Sequence, residues 1–91
     1  MKDIDAIEAD QITNVVAREL ARSITKWDWD DYSYLDMYQT IKGELLELFM
    51  AIDEGDLTGE HGAFNEAAHV SATAQKLMMM IKRRGKNVLN P

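Results

Sequence analysis

The only proline in this sequence is residue 91, and few of the residues that punctuate short strands occur before it. Proline removes a backbone N–H donor and interrupts a helix, so a chain without internal proline can form long helices. Apolar side chains also recur at helical spacing along three segments. These features together predict an all-α fold.

Three amphipathic segments predict three helices, at residues 4–26, 33–53 and 58–84. Each helix should bury one apolar face against its neighbours. In the first helix, the apolar residues at helical spacing are Ile12, Val15, Val16, Leu20 and Ile24. In the second helix, the predicted buried stripe consists of Tyr38, Ile41, Leu45, Leu48 and Ile52.

Capping residues set the expected starts of the second and third helices. Ser33 is followed three residues later by Asp36, which gives an approximate capping box for the second helix. Thr58 is the candidate N-cap of the third helix. The first half of the third helix is rich in alanine and serine, so another helix can approach it closely.

The chain has 91 residues, which is enough for one domain spanning residues 1–91. A chain this short buries a smaller fraction of its surface than a larger one. It has no cysteine, so disulfides and thiolate metal sites are excluded as supports. We therefore expect a helical bundle of about three helices per chain that is completed by dimerisation, as a homodimer or a tetramer.

The formal net charge of −6 argues against a nucleic-acid partner, because a phosphate-binding surface needs a basic stripe. The basic cluster at residues 82–84 falls in the last turn of the third predicted helix, where positive charge complements the helix dipole. The sequence has no run of about 18 apolar residues and opens without an apolar signal core. We expect a cytoplasmic protein without a membrane partner.

The candidate functional residues of this sequence form two spaced pairs, Glu44-x-x-Glu47 and Glu66-x-x-His69. Side chains three apart lie on one helical face, so each pair presents two potential metal ligands together. The acidic, glycine-bearing link at residues 53–59 joins the two helices, and an antiparallel hairpin would bring three carboxylates and one imidazole close to one another. The pattern predicts a site for a hard divalent cation.

Each pair also has a plainer interpretation. Most Glu-x-x-Glu pairs are solvated surface residues, and a histidine on an alanine-rich face can donate a hydrogen bond to a neighbouring carboxylate. Glu44, however, lies at the edge of the apolar stripe, where an unpaired carboxylate is costly to desolvate and a cation would remove that cost. His61 is interpreted as a helix-start residue rather than a ligand.

With these residues in view, the sequence resembles the MazG-like, all-α nucleoside triphosphate pyrophosphohydrolases. The resemblance covers roughly residues 20–82. It depends on four short stretches, at residues 42–48, 51–52, 55–56 and 66–70. In that family a tryptophan near the end of the first helix precedes a helix bearing Glu-x-x-Glu, and the third helix supplies Glu-x-x-Asp.

The match to the family's four acids is residue by residue, with one departure. Glu44, Glu47 and Glu66 match the family's glutamates, whereas His69 stands in place of its aspartate. The resemblance implies that these four residues hold a divalent cation, Mg²⁺ or Mn²⁺, on a nucleoside triphosphate. An imidazole in place of an oxygen ligand suits Mn²⁺, Fe²⁺ or Zn²⁺ better than Mg²⁺.

The activity implied by the resemblance is attack of a metal-activated water on the α-phosphorus, with release of pyrophosphate and a nucleoside monophosphate. Glu44 and Glu47 are the implied catalytic residues. The base would be faced by Trp27 or Trp29, although these aromatic residues can equally plug the end of the bundle. The implied phosphate contacts are Lys82, Lys86 and Asn87.

Two other functions are compatible with the same residues. A glutamate from one helix and Glu-x-x-His from another, doubled by a two-fold axis, is the ligand set of ferritin-like di-iron and di-manganese bundles. A dimer of this chain could assemble such a site, with Fe²⁺ as the cation. The third hypothesis is a degenerate relative, a non-catalytic helical dimer that serves as a binding or structural module in a phage or bacterium.

Overall fold

The computed structural model describes residues 2–26 and 30–85 of the chain. Within these ranges the backbone forms three helices and no strand. The helices are α1 (Lys2–Lys26), α2 (Tyr34–Glu54) and α3 (Ala63–Arg84). The all-α prediction is therefore confirmed. None of these helices combines the length and the hydropathy needed to cross a bilayer.

The start of α2 is fixed by the capping box that the sequence predicts. The Ser33 backbone N–H donates to Asp36 Oδ2 at 2.8 Å, and the Asp36 backbone N–H donates to Ser33 Oγ at 3.0 Å. These two bonds satisfy donors that the first turn of a helix leaves without partners. At the other end, Gly55 adopts φ 77°, a left-handed conformation that glycine reaches without a steric penalty.

The start of α3 differs from the prediction, because Gly62 rather than Thr58 is its N-cap. The preceding residues form a hydrogen-bonded turn instead of a first helical turn. Asp56 Oδ1 accepts from the Gly59 backbone N–H at 3.0 Å, and the Asp56 carbonyl accepts from the Ala63 backbone N–H at 2.9 Å. An aspartate side chain that captures a nearby backbone donor offers the chain an alternative to the helix.

Helix α3 is the central element and packs against both α1 and α2, whereas α1 and α2 do not contact each other within the described residues. Helices α2 and α3 run antiparallel, since Met37 near the start of α2 packs against Met80 near the end of α3. Buried Ala68 and Ala72 lie on α3 near the side that α1 covers. Small side chains at these positions allow close helix packing.

The predicted apolar stripe of α2 is only partly buried, which corrects the expectation from the sequence. Tyr38, Leu45 and Ile52 are 54%, 47% and 57% exposed. The two buried residues of α2 are Met37 and Ala51, which lie seven residues before and seven residues after the half-buried Glu44. The α2 face that packs on α3 is therefore the neighbouring one, and it includes a carboxylate.

The turn between α1 and α2 is tied to the end of α3 by Arg84. The guanidinium of Arg84 donates to the carbonyl of Tyr32 at 2.5 Å and to the carbonyl of Asp30 at 2.8 Å. It also lies 5.9 Å from the centre of the Tyr34 ring, within the range of a cation–π contact. One long-range side chain thus fixes the far end of the bundle.

Candidate functional site

The structure brings three of the four predicted ligands together and adds a residue from α1. Glu44 of α2 and His69 of α3 line one cavity, and Glu66 lies one helical turn before His69. Glu19 of α1 approaches the same imidazole. Glu47 is exposed and shares a second cavity with Glu66 and His69.

The imidazole of His69 lies between two carboxylates from different helices. Its Nε2 is 3.3 Å from Glu19 Oε1, and its Nδ1 is 3.5 Å from Glu66 Oε2. The His69 side chain is 28% exposed, whereas the Glu66 side chain is only 5% exposed. His69 therefore has the carboxylate neighbours that the plainer interpretation expects. Its role as a metal ligand stays a prediction.

Two buried carboxylate oxygens have no hydrogen-bond partner among the described residues. They are Glu44 Oε1 and Glu66 Oε2. The His69 nitrogen at 3.5 Å from Glu66 Oε2 is beyond the usual range for an N–H···O hydrogen bond. Buried polar atoms are normally satisfied, so each of these oxygens marks a position where a donor or a cation fits.

Burial raises the pKa of Glu44 above its ordinary value. A hydrogen bond with Thr73 and the nearby charges of His69 and Lys76 act in the opposite direction, whereas the charge of Glu47 raises the pKa further. The net direction is upward, so desolvation is the dominant effect at this carboxyl group. Glu44 is thus held closer to the neutral form than a surface glutamate.

Lys76 places a buried amine among these acids, since its residue is only 2% exposed. Burial lowers the pKa of Lys76, and the charges of Glu44 and Glu19 raise it again, although burial dominates. Glu19 in turn has a lowered pKa, mainly because Arg22 donates to its two oxygens at 2.9 and 2.6 Å. The site is therefore a network of alternating charges contributed by all three helices.

Two cavities flank His69, and their charged linings differ. The first, of about 120 Å³, is lined by the bases Arg22, Lys26 and Lys76 and the acids Glu19 and Glu44, together with His69. We call it the mixed-charge cavity. The second, of about 460 Å³, is lined by Glu47, Glu54, Glu66, His61 and His69. We call it the acidic cavity.

Among the described residues, no group of three or more histidine, cysteine, aspartate or glutamate side chains converges closely enough to hold a metal ion as the side chains stand. The available donors nevertheless suit a divalent cation, because carboxylate oxygens and an imidazole are ligands for Mn²⁺ and related ions. Glu44 and Glu66 each contribute an unpartnered oxygen, and Glu47 is exposed. The donor types present therefore suit such an ion, whereas the described side chains do not converge on one point.

Lys82, the predicted substrate-binding residue that the structure describes, is not part of this arrangement. Lys82 is exposed and lines an apolar groove with Leu20, Met78 and Met79. The remaining four lie outside the described residues; they are Trp27, Trp29, Lys86 and Asn87.

The sequence did not indicate several residues of the site, among them Glu19, Thr73 and Lys76, and it favoured a helix-start role for His61, which lines the acidic cavity. A usable signal existed for two of them. Lys76 follows His69 by two helical turns, so it shares the same face of α3. Glu19 follows the buried Val16 by three residues and therefore continues the buried face of α1. The apolar periodicity of α1 does not indicate Glu19, because it considers only apolar residues.

The comparisons with known proteins add no relative. No family model matches the chain, and neither the curated proteins nor the solved structures yield a significant match.

Proposed function

We propose that this protein is a metal-dependent nucleoside triphosphate pyrophosphohydrolase that works as a homodimer. The observation that carries the proposal is the pair of buried carboxylate oxygens without hydrogen bonds, Glu44 Oε1 and Glu66 Oε2. A buried charged oxygen without a donor is costly, and a divalent cation is a ligand that removes this cost. The resemblance of the two spaced pairs to those of MazG-like enzymes supports the same assignment.

The cation would be held by Glu44, Glu66 and His69, which leaves the exposed Glu47 beside it. When bound, it supplies polarisation of phosphate oxygens and a lowered pKa of a nearby water. The imidazole favours Mn²⁺ over Mg²⁺ as the working ion. His69 contributes a nitrogen donor where MazG-like enzymes have an aspartate, so the ion preference is the property in which this chain departs most from them.

The chain's own residues handle the proton that leaves the attacking water. Glu47 would accept this proton, because it is exposed and lines the acidic cavity beside Glu66 and His69. Glu44 is not assigned this role, because a bound cation counteracts the rise in pKa that burial causes at this carboxyl group. Glu44 has a hydrogen bond with Thr73, itself 3% exposed, while its Oε1 has no partner among the described residues and is available to the cation.

Two features of the single chain support the homodimer. Tyr38, Leu45 and Ile52 form a row of exposed apolar side chains on α2, at seven-residue spacing along one face. Rows of this kind usually mark an interaction surface. The radius of gyration is 15.0 Å, compared with about 12 Å expected for a compact chain of this length. A second copy packed on α2 would bury the row and complete the bundle.

The test is a product-resolved incubation of the protein with the common nucleoside and deoxynucleoside triphosphates, in Mg²⁺ and separately in Mn²⁺. We expect pyrophosphate and the monophosphate as products, with faster release in Mn²⁺. The Glu44→Gln variant should show no release, whereas Glu60→Gln, which changes an exposed carboxylate in the α2–α3 turn, should match the wild type. A folded wild-type protein that releases neither product contradicts the proposal.

The second candidate function is a non-catalytic helical dimer, and one observation favours it. The positive charge of Lys76 and the imidazole of His69 already lie near Glu44 and Glu19, so the chain itself partly neutralises these acids. Absence of turnover together with an unchanged melting temperature in Mn²⁺ would favour this function. Tightly held iron in the purified protein would instead favour the ferritin-like site.

A further inference from the structure

The charges around His69 are segregated between the two cavities. Three bases line the mixed-charge cavity, whereas the charged lining of the acidic cavity has three glutamates and no lysine or arginine. The whole chain has a net charge of −6, so three bases around one small cavity stand out against an acidic background. The mixed-charge cavity has one more base than acid, so an anion is better accommodated there than in the acidic cavity on the other side of His69.

We propose that the mixed-charge cavity binds the phosphate chain of the substrate through Arg22, Lys26 and Lys76. This inference rests on the proposed function and deepens it, since it assigns the phosphate contacts to α1 and the middle of α3. The resemblance to MazG-like enzymes places those contacts at the end of the chain instead, at Lys82, Lys86 and Asn87.

The position of Lys76 is the strongest support. Lys76 is 2% exposed and lines the cavity, so its side chain is held away from bulk water within the cavity wall. Electrostatic attraction is larger in such a desolvated site than at the protein surface. Lys76 also shares the cavity with Glu44 and His69, so phosphates bound there would lie next to the proposed metal ligands.

Arg22 adds a second basic contact that is already oriented. Its guanidinium donates two hydrogen bonds to Glu19, and its side chain is 50% exposed. An arginine offers five donors in a fixed plane, so it can hold one carboxylate and still present donors to an oxyanion. Glu19 opposes an anion in the same cavity, which predicts that its removal strengthens phosphate binding.

The experiment measures binding of inorganic tripolyphosphate by isothermal titration calorimetry in the presence of EDTA. Without a divalent cation, binding reports on the chain's own bases and not on hydrolysis. We expect Arg22→Gln and Lys26→Gln to weaken binding by about tenfold each, because each substitution removes one charge-assisted hydrogen bond. Lys76→Gln should weaken it further, while Glu19→Gln should tighten it. A purely structural role of these residues would not produce effects of opposite sign.

Two controls separate this cavity from other basic residues. Lys42→Gln changes an exposed lysine on α2 and should leave tripolyphosphate binding unchanged. Lys82→Gln should also leave it unchanged, although the resemblance implies a loss. Because Lys76 is buried, its variant is compared only when its circular dichroism spectrum matches that of the wild type. If the spectra differ, the test uses the variants of the exposed residues Arg22 and Lys26 alone.

The outcomes distinguish this inference from the proposed function. If tripolyphosphate binding depends on Arg22 and Lys26 but the protein hydrolyses no nucleotide, the phosphate-binding role of the cavity is supported and the proposed hydrolase activity is contradicted. If the protein hydrolyses nucleotide but these substitutions do not change tripolyphosphate binding, the hydrolase activity is supported and the phosphate-binding role of the cavity is overturned. Wild-type protein that does not bind tripolyphosphate at all, at low salt, also overturns the cavity.

Discussion

Replacing Glu44 by glutamine should stabilise this protein at neutral pH while abolishing any metal-dependent activity. Glu44 has a buried oxygen without a hydrogen bond, and burial raises the pKa of its carboxyl group despite the nearby charges of Lys76 and His69. The ionised side chain therefore destabilises the folded state. An unsatisfied buried polar group costs about 1–3 kcal/mol, and glutamine removes the charge but keeps one oxygen, so we expect a gain of about 1 kcal/mol.

The pH dependence of this gain gives the sharper test. The pKa of Glu44 is higher in the folded state than in the unfolded state, so stability decreases as the pH rises from the unfolded value, about 4.3, through the folded value. Glutamine does not titrate. The variant should melt about 4–8 °C higher than the wild type at pH 7, and the difference should vanish near pH 4.

The assay is thermal unfolding by circular dichroism at a fixed protein concentration, with and without Mn²⁺. A cation that binds only the folded state at 100 times its Kd adds about 2.7 kcal/mol, and the variant should lose most of this. Glu60→Gln is the matched control and should behave like the wild type. An equal or lower melting temperature of Glu44→Gln at pH 7 would show that the attraction between Glu44 and Lys76 outweighs desolvation, and the reasoning would be wrong.

Three further predictions test the packing around the site. Lys76→Met should raise the free energy of unfolding in urea at pH 7 by about 1 kcal/mol, because burial outweighs the attraction of Glu44 and Glu19 at this amine, and the gain should be larger when Glu44 is already glutamine. Ser33→Ala removes the capping box and should cost about 1 kcal/mol in the same assay; an unchanged midpoint would contradict it. Leu45→Asp should convert a dimer to a monomer in sedimentation velocity, whereas Met78→Asp, on the 67% exposed Met78 of α3, should not.

Local features of the fold could be predicted because they depend on residues close together in the chain. The Ser33–Asp36 capping box is one example, since both partners lie within one helical turn. The pairing of Glu66 with His69 on one face is another. The prediction of Thr58 as the N-cap of α3 is wrong, because Asp56 accepts a hydrogen bond from the backbone of the same turn. The sequence pattern does not show whether a turn at Asp56 or a helix start at Thr58 is preferred.

The sequence by itself determined that the chain is helical and which residues of α2 and α3 share a face, because helical periodicity and capping are local properties. Only the tertiary structure decided that Glu19 lies 3.3 Å from His69 and that Lys76 is buried beside Glu44. These contacts join residues far apart in sequence, and they depend on α3 packing between α1 and α2. The same packing decided which face of α2 is buried, since two adjacent faces of that helix carry apolar residues and one neighbour covers only one of them.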